Sequence, residues 1–269
     1  MKILAMELSS GRGSLAWLTL EEELAGAPAA AREGTLAPQN EDVAEPGEAG
    51  QLLQKKSGAS RTAANRRSRA TQLIDPIGCP AGATWVDLVR EWPNDRKNSG
   101  PFFENLANAQ KQFGPADTIV VGLGPGSYAG VRIAISAATG LQTASGARVI
   151  GFPSICAIQC EEKEYCVVGD ARRKSFFFAR IRANELTEGP ALFGENELRE
   201  KIDKLEDNIP IFASEDLPQF KRAVIRYPSA KVLAQLTQGV NRNFALPPLE
   251  PIYLREPHIT LAKAQEIGS

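Results

Sequence analysis

The segment best placed to do chemistry is a glycine-rich stretch between a predicted strand and a predicted helix. It runs from Gly122 to Arg132 and reads GLGPGSYAGVR. Such a turn lets the backbone come close to a ligand, and the N–H groups of a helix N-terminus can hold an anion. The spacing matches neither GxGxxG nor GxxxxGKS/T, and the stretch has no lysine to reach a phosphate. Phosphate binding and a tight turn that lets strand and helix pack closely are therefore both open interpretations.

Histidine and cysteine are scarce, which excludes several kinds of site. His258 is the single histidine, so zinc sites built on several histidines are excluded and one candidate base remains for a Ser-His-Asp or Cys-His pair. We expect it to be a surface residue. The cysteines match no CxxC pair and are predicted to be free thiols in a reducing compartment. They are Cys79, Cys156, Cys160 and Cys166.

Length and composition are those of a globular protein with one two-lobed domain or two small ones. The chain has 269 residues, of which 43% are hydrophobic and 23% charged. Its 31 Lys and Arg against 32 Asp and Glu exclude a protein that is basic overall. The opening residues are too short for a signal-peptide core, and no uncharged stretch reaches membrane-spanning length. We therefore expect a soluble, cytoplasmic protein with no membrane partner.

One region differs sharply from the rest in composition. Residues 21–48 carry eight acidic side chains and one basic one, whereas residues 49–74 carry six basic side chains and no acidic one. Large apolar residues are few, so we predict a mobile insertion at 26–80. It is interpreted as a solvated loop or as an interaction arm. The basic block could aid nucleic-acid binding electrostatically, but it has no aromatic residue to stack on bases.

Hydrophobic patterning predicts an α/β fold with a repeated plan. The first half reads as a hairpin (2–8 and 14–20), a strand near 83–86, a helix at 101–113, a strand at 118–123, a helix at 129–145 and a strand at 148–152. The second half reads as a hairpin (165–168 and 176–179), a helix near 195–206, a strand at 209–213 and helices near 216–224 and 229–238. The repeat predicts two lobes, 1–155 and 156–269, each with a mixed sheet.

The two helices of the first lobe show apolar faces. On the first helix, Phe102, Leu106 and Ala109 share one face, and Glu104 is placed to complement the helix dipole. Residues 133–147 of the second helix carry no charge, so this helix must be covered on both sides, by the chain itself or by a partner. Its larger side chains form one ridge: Ile133, Ala137 and Leu141. Its very small ones form another that would let a neighbouring helix approach: Gly130, Ala134 and Ala138.

Four segments resemble the bacterial TsaB (YeaZ) family, in the order in which that family has them. GPGSYAGVR at 124–132 resembles the family's GPGSFTGLR signature, and the opening KILAMELSS resembles its KILALETST strand. The turn at 169–173 resembles the family's DARR turn, and PIYLR at 251–255 resembles its PVYLR tail. The resemblance implies the two-lobed actin-like ATPase fold of actin, Hsp70 and sugar kinases, with duplicated mixed-sheet lobes.

The resemblance also implies a non-catalytic role. TsaB proteins bind and stabilise TsaD, a paralogue that transfers a threonylcarbamoyl group to the adenosine beside the anticodon of tRNA. The ATPase TsaE joins them, TsaB alone forms a homodimer, and tRNA is met indirectly through the complex. The implied contact pairs helices 101–113 and 129–145, with these residues: Phe102, Leu106, Ala109, Gly130, Ala134, Ala138 and Leu141. The family motif loop would comprise Gly124, Pro125, Gly126, Ser127, Gly130 and Arg132.

The resemblance requires no cofactor and no metal. TsaD-type enzymes hold their metal with an HxxxH pair, which a chain with one histidine cannot form. Residual contact with a nucleotide or a hydrated Mg²⁺ would fall to the two hairpin turns, at Glu7, Ser9, Ser10 and Asp170, although these residues suit turn hydrogen bonds equally well. ATP or ADP with Mg²⁺ at the partner interface is compatible with the family pattern.

The sequence departs from the family at the insertion and at the start of the first helix. The family's NHSE is Asn98-Ser99-Gly100-Pro101 here, on the expected partner surface. Three other functions stay open. One is an ATP-dependent kinase or hydrolase of small molecules that uses Asp170 or Glu7. Another is a glycoprotease-like peptidase, and the third is a homodimeric scaffold or proteostasis factor unrelated to tRNA.

Overall fold

The described part of the chain contains most of the predicted elements. The computed structural model describes residues 1–20, 86–94, 99–238 and 242–255. The predicted insertion at 26–80, together with Cys79 and His258, lies outside the described residues. The predicted strand near 83–86 is displaced, because the strand begins at Val86 and continues to Pro93.

The first sheet is built around a hairpin and two parallel strands. Within the described residues its strands are β1 (Lys2–Glu7), β2 (Arg12–Thr19), β3 (Val86–Pro93), β4 (Thr118–Gly122) and β5 (Arg148–Phe152). Their order is β3-β2-β1-β4-β5, antiparallel from β3 to β1 and parallel from β1 to β5. β4 is buried along its whole length, as expected of an apolar, β-branched strand that is covered on both faces.

Two helices cover one face of the first sheet. α1 (Gly100–Phe113) begins with Pro101 in its first turn, where a missing N–H is tolerated. The predicted dipole partner Glu104 lies beyond that turn, which contains no acidic residue. α2 (Tyr128–Ser145) begins at the N-cap Ser127, whose Oγ accepts a hydrogen bond from the Gly130 N–H, and it ends at Gly146 with a φ of +74°.

The second sheet repeats the topology of the first. Within the described residues its elements are β6 (Glu164–Asp170), β7 (Ser175–Arg182), β8 (Glu185–Gly194), α3 (Glu195–Asp203), β9 (Ile211–Ala213), β10 (Ala223–Ile225) and α4 (Ala230–Leu236). The order β10-β9-β6-β7-β8 pairs β6 with β7 and β7 with β8 antiparallel, and β6 with β9 and β9 with β10 parallel. The expected duplication of two mixed sheets is confirmed.

Two predictions for the second half were incomplete or wrong. Residues 216–224 form turns and then β10 rather than a helix. Pro218 lies inside this segment, and Leu217 and Phe220 reach the core from the turns. β8 was not predicted, because most of its residues are exposed and its sequence does not alternate between polar and apolar.

Three apolar layers hold these elements together. One lies between the first sheet and its helices α1 and α2, and another between the second sheet and α3. The third lies between the two sheets and includes α4, whose Ala230 N–H donates to Ser14 Oγ over 2.9 Å. A lobe boundary at 155 stays a prediction. Within the described segments, no helix is long and apolar enough to cross a membrane.

Candidate partner interface

The glycine-rich loop is shaped by the turn between β1 and β2. A Cβ at Gly126 would overlap with the Ser9 carbonyl oxygen, and one at Gly130 would overlap with that of Leu8. The Ser127 N–H donates to the same Ser9 carbonyl. This carbonyl therefore stands at the helix N-terminus, where a phosphate would have to bind. The geometry supports the close-packing interpretation of the glycines.

Two other segments of the chain, at 152–154 and in the tail, hold the loop in place. The Leu123 N–H donates to the Phe152 carbonyl over 2.8 Å, and the Gly124 N–H donates to Ser154 Oγ over 2.9 Å. The Ile252 N–H donates to the Leu123 carbonyl over 2.8 Å. The glycine-rich signature and the PIYLR tail, which are far apart in sequence, are therefore neighbours in the fold.

Glu7 is buried beneath this loop. Its Oε1 accepts a hydrogen bond of 2.6 Å from the Ser9 N–H, and its Oε2 has no hydrogen-bond partner among the described residues. Burial raises the pKa of the Glu7 carboxyl, and the neighbouring polar groups of Ser9 and Ser154 oppose this shift. A Cβ at Gly122 would overlap with Oε2, so a larger residue there is excluded.

Asp170 lies at the corresponding turn of the second sheet. Its carboxylate accepts hydrogen bonds from the Arg172 N–H (2.6 Å) and from Arg172 Nη1 (3.1 Å), while its own N–H donates to Glu215 Oε1 over 2.9 Å. In the first turn, Ser10 Oγ donates to the Arg12 carbonyl over 2.9 Å. The predicted site residues thus serve turn hydrogen bonds.

These residues do not fit a Mg²⁺ site. The recorded hydrogen bonds of Asp170 are with Arg172 and Glu215, whereas Glu7 contacts Ser9 and lies under Gly122. Across the described segments, no three His, Cys, Asp or Glu residues are grouped so that they could hold a metal ion. Glu7 is therefore enclosed beneath the loop and Asp170 is engaged by Arg172, an arrangement that does not favour a cation shared by the two carboxylates.

The predicted interface residues require a correction. All but one of them are buried within this chain, in the layer between the first sheet and its helices: Phe102, Leu106, Ala109, Gly130, Ala134 and Ala138. Leu141 is half-buried. Helical spacing identifies an apolar face but does not say whether a sheet or a partner covers it. The faces of α1 and α2 that point away from the sheet are the ones left open to solvent.

Beyond Arg132, the outer face of α2 is uncharged and presents small polar side chains. It comprises Ser136, Thr139, Gly140 and Thr143, all exposed. The Thr139 hydroxyl donates to the Ile135 carbonyl and the Thr143 hydroxyl to the Thr139 carbonyl, each over 2.9 Å. The hydroxyl protons of Thr139 and Thr143 are used within the helix, so covering these two side chains with apolar surface leaves neither donor unpaired.

Both helices also carry an exposed aromatic side chain. Phe103 on α1 is 49% exposed, and Tyr128 at the start of α2 is 50% exposed. The Tyr128 ring lies 5.6 Å from that of Tyr253 in the tail, and Arg132 stacks over Tyr128 at 5.0 Å and donates to its hydroxyl. Tyr128 and Tyr253 were missed from sequence, although an aromatic residue in both the signature and the tail is a signal that could have found them.

Comparisons with known proteins identify the family and the fold. The model of the family described as TsaD, tRNA N6-adenosine threonylcarbamoyltransferase, matches residues 101–248, more than half of the chain. An uncharacterized protein of Mycobacterium tuberculosis is 32% identical over 157 residues, which are 56% of this chain and 70% of that protein. One from Mycobacterium leprae is 36% identical over 88 residues, 32% of this chain and 24% of that protein.

Two solved structures from Pseudomonas aeruginosa share the fold. A protein described as similar to peptidase YeaZ superposes with a TM-score of 0.54 at 16% identity, over 94% of this chain and 99% of that one. YeaZ itself superposes with a TM-score of 0.51 at 15% identity, over 88% and 91%. The expected two-lobed, actin-like α/β fold is thereby confirmed. The chain belongs to the TsaD family of tRNA N6-adenosine threonylcarbamoyltransferase proteins and, as its four motifs indicated, has the fold of its YeaZ (TsaB) members.

Proposed function

We propose that this protein is a non-catalytic scaffold subunit of the machinery that makes N6-threonylcarbamoyladenosine in tRNA. It binds and stabilises a TsaD-type paralogue, a TsaE-type ATPase joins the complex, and alone the protein forms a homodimer in the cytoplasm. The observation that carries this proposal is the outer face of α2, which has no charged side chain from Ile133 to Ser145. A surface helix with one wet face ordinarily carries charge there.

Desolvation favours this face as a contact. Burying charged groups is costly, because they lose their hydration. The part of this face from Ile133 to Ser145 has no charged group, so burying it avoids that cost. Small side chains such as Gly140 and Ser136 let a second helix come close. Phe103 on α1 and Tyr128 at the start of α2 are large, exposed and aromatic, the kind of residue that dominates binding energy at interfaces.

The state of the two candidate catalytic carboxylates supports the non-catalytic part of the proposal. Glu7 is buried under the loop, with its pKa raised by desolvation, and Asp170 is engaged by Arg172. A general base or metal ligand must reach a substrate, and neither carboxylate is free to do so in this arrangement. The proposal therefore includes no nucleotide or metal held by this chain alone.

The test places a charge on the proposed interface. Thr139→Arg puts a guanidinium on the exposed middle of α2, and Asn196→Arg on the exposed surface of α3 is the matched control. Light-scattering chromatography with the TsaD-type protein of the same organism should give a one-to-one complex for the native chain and for the control. The Thr139→Arg variant should stay separate, with at least a tenfold loss of modified nucleoside in reconstituted tRNA.

Two outcomes would contradict the proposal. A Thr139→Arg chain that still binds TsaD normally would place the contact elsewhere. ATP hydrolysis by the purified chain, lost in Asp170→Ala, would favour the kinase or hydrolase alternative. Ala134→Arg is unsuitable as a test, because Ala134 is fully buried and the variant would unfold the core.

A further inference from the structure

The turn between β6 and β7 has an unusual backbone. Arg172, Arg173 and Lys174 are consecutive and have φ values of 66°, 53° and 58°. This left-handed conformation is disfavoured for residues with a Cβ, and glycine or asparagine are the usual choices for it. The turn alone therefore does not explain three long cationic side chains at these positions.

The turn is nevertheless firmly held. The Ala171 N–H donates to the Ser175 carbonyl over 2.9 Å, and the Ser175 N–H donates to the Arg172 carbonyl over 3.1 Å. The Asp170 carboxylate accepts from the Arg172 N–H, and Glu215 accepts from the Asp170 N–H. These bonds hold the backbone in the disfavoured conformation, so the positions from which the cationic side chains project are set by the fold.

Two of the three cationic side chains form no ion pair with another described residue. Arg172 is paired with Asp170, with 3.1 Å between Nη1 and Oδ2. Arg173 and Lys174 are exposed, and no hydrogen bond or ion pair to another described residue is recorded for either side chain. The result is a rigid, solvent-facing cluster of adjacent cations, which we call the cationic tip (Arg172–Lys174).

We infer that the cationic tip contacts the phosphate backbone of RNA. The choice of tRNA as that RNA rests on the proposed function. An exposed hairpin end has no walls to enclose a small anion, so useful affinity requires a ligand that meets several cations at once. A phosphate chain does so, and each neutralised phosphate releases counterions. The tip has no aromatic residue, so it positions RNA without reading its sequence.

The experiment measures binding of fluorescently labelled tRNA by the full chain between 50 and 200 mM salt. Arg173→Glu with Lys174→Glu should weaken binding at least tenfold at 50 mM and reduce the slope of log K against log salt by about 2, since each phosphate contributes roughly 0.9. Arg148→Glu with Lys204→Glu makes the same change in net charge at exposed positions away from the tip. Equal losses in both double variants, or no binding by the native chain, would overturn the inference.

A second variant separates RNA contact from a purely structural turn. Arg173→Gly relieves the left-handed backbone, so its melting temperature should rise while its tRNA affinity falls about three-fold. A rise in melting temperature with unchanged affinity would show that the tip is only a turn.

Partner binding distinguishes this inference from the proposed function. Tip variants should keep TsaD binding, and Thr139→Arg should keep tRNA binding by the chain alone. Loss of TsaD binding with unchanged tRNA affinity in the tip variants would make the tip a protein contact and overturn the inference. If the native chain ignores TsaD while the tip variants still lose tRNA affinity, the proposed function fails and the tip inference stands.

Discussion

The two hairpin turns occupy the same place in two sheets of the same topology, yet their surroundings are opposite. The first turn, which follows Glu7, is covered by the glycine-rich loop and sealed by Asn94, whose side-chain amide donates to the carbonyls of Leu8 (3.1 Å) and Ser10 (2.8 Å). The second turn, which follows Asp170, faces solvent and carries the cationic tip.

The connection after the neighbouring parallel strand explains this difference. In the first sheet, β4 leads through the glycine-rich loop into α2, and the loop lies on the first turn. In the second sheet, the described connection from β9 to β10 contains no helix and supplies Glu215 as its contact with the turn. The same topology therefore produces a first turn that is covered by the glycine-rich loop and a second turn that faces solvent.

The largest expected effect comes from a side chain that enters the space occupied by the first turn. Gly130→Ala should lower the free energy of unfolding by about 3 kcal/mol, because its Cβ would overlap with the Leu8 carbonyl and the backbone cannot yield cheaply. Gly140→Ala in the same helix is the matched control. Nothing lies within 4 Å of its Cβ, so it should stabilise by about 0.5–1 kcal/mol. Urea unfolding measures both.

A Gly130→Ala chain as stable as the native one would mean that the loop does not lie on the first turn. Destabilisation by both substitutions would point to the helix in general rather than to this contact.

The sequence predicted the elements whose pattern is strong and local. The continuous apolar run of Thr118–Gly122 allowed a buried strand and little else, and the helix predicted at 129–145 after the glycine-rich turn is present as α2. The direction in which α2 is buried could not be predicted. Ala134 and Ala138 are small enough to suit either a sheet or a partner helix, and only the tertiary fold shows that the sheet covers them.

The second sheet was harder to predict for the same reason. Leu217 and Phe220 are spaced like one face of a helix, but both reach the core from turns around Pro218. β8 pairs with β7 as a hairpin through Ala183 and Asn184, but its exposed residues carry no periodic signal that would have predicted a strand. The cationic tip was visible as a sequence motif, whereas its left-handed backbone was not.

A smaller effect is expected when a hydrogen-bond partner is removed, and it should differ between the covered first turn and the exposed second turn. Asn94→Ala removes the donor from two carbonyls of the covered first turn, so it should destabilise by about 1–2 kcal/mol. Glu215→Ala removes the acceptor from the Asp170 N–H at the open turn, where water can replace it, and should cost less than about 0.5 kcal/mol. Equal losses in chemical denaturation would remove the distinction between the two turns.

The smallest effect concerns the pH dependence of the buried carboxylate in the first turn. Because burial raises the pKa of Glu7 in the folded chain, its stability contribution is fully present below the ordinary carboxyl pKa and falls as pH rises through the raised value. Glu7→Gln cannot ionise, so it should gain stability relative to the native chain as pH rises from 4 to 8. The half-buried Glu164 provides the opposite sign, since hydrogen bonds from Arg182 and Arg180 lower its pKa and its contribution to stability is lost as pH falls. Melting curves of Glu7→Gln and Glu164→Gln over this range should therefore diverge from the native curve in opposite senses. A Glu7→Gln curve parallel to the native one would show that water reaches the carboxylate and that the first turn is not sealed.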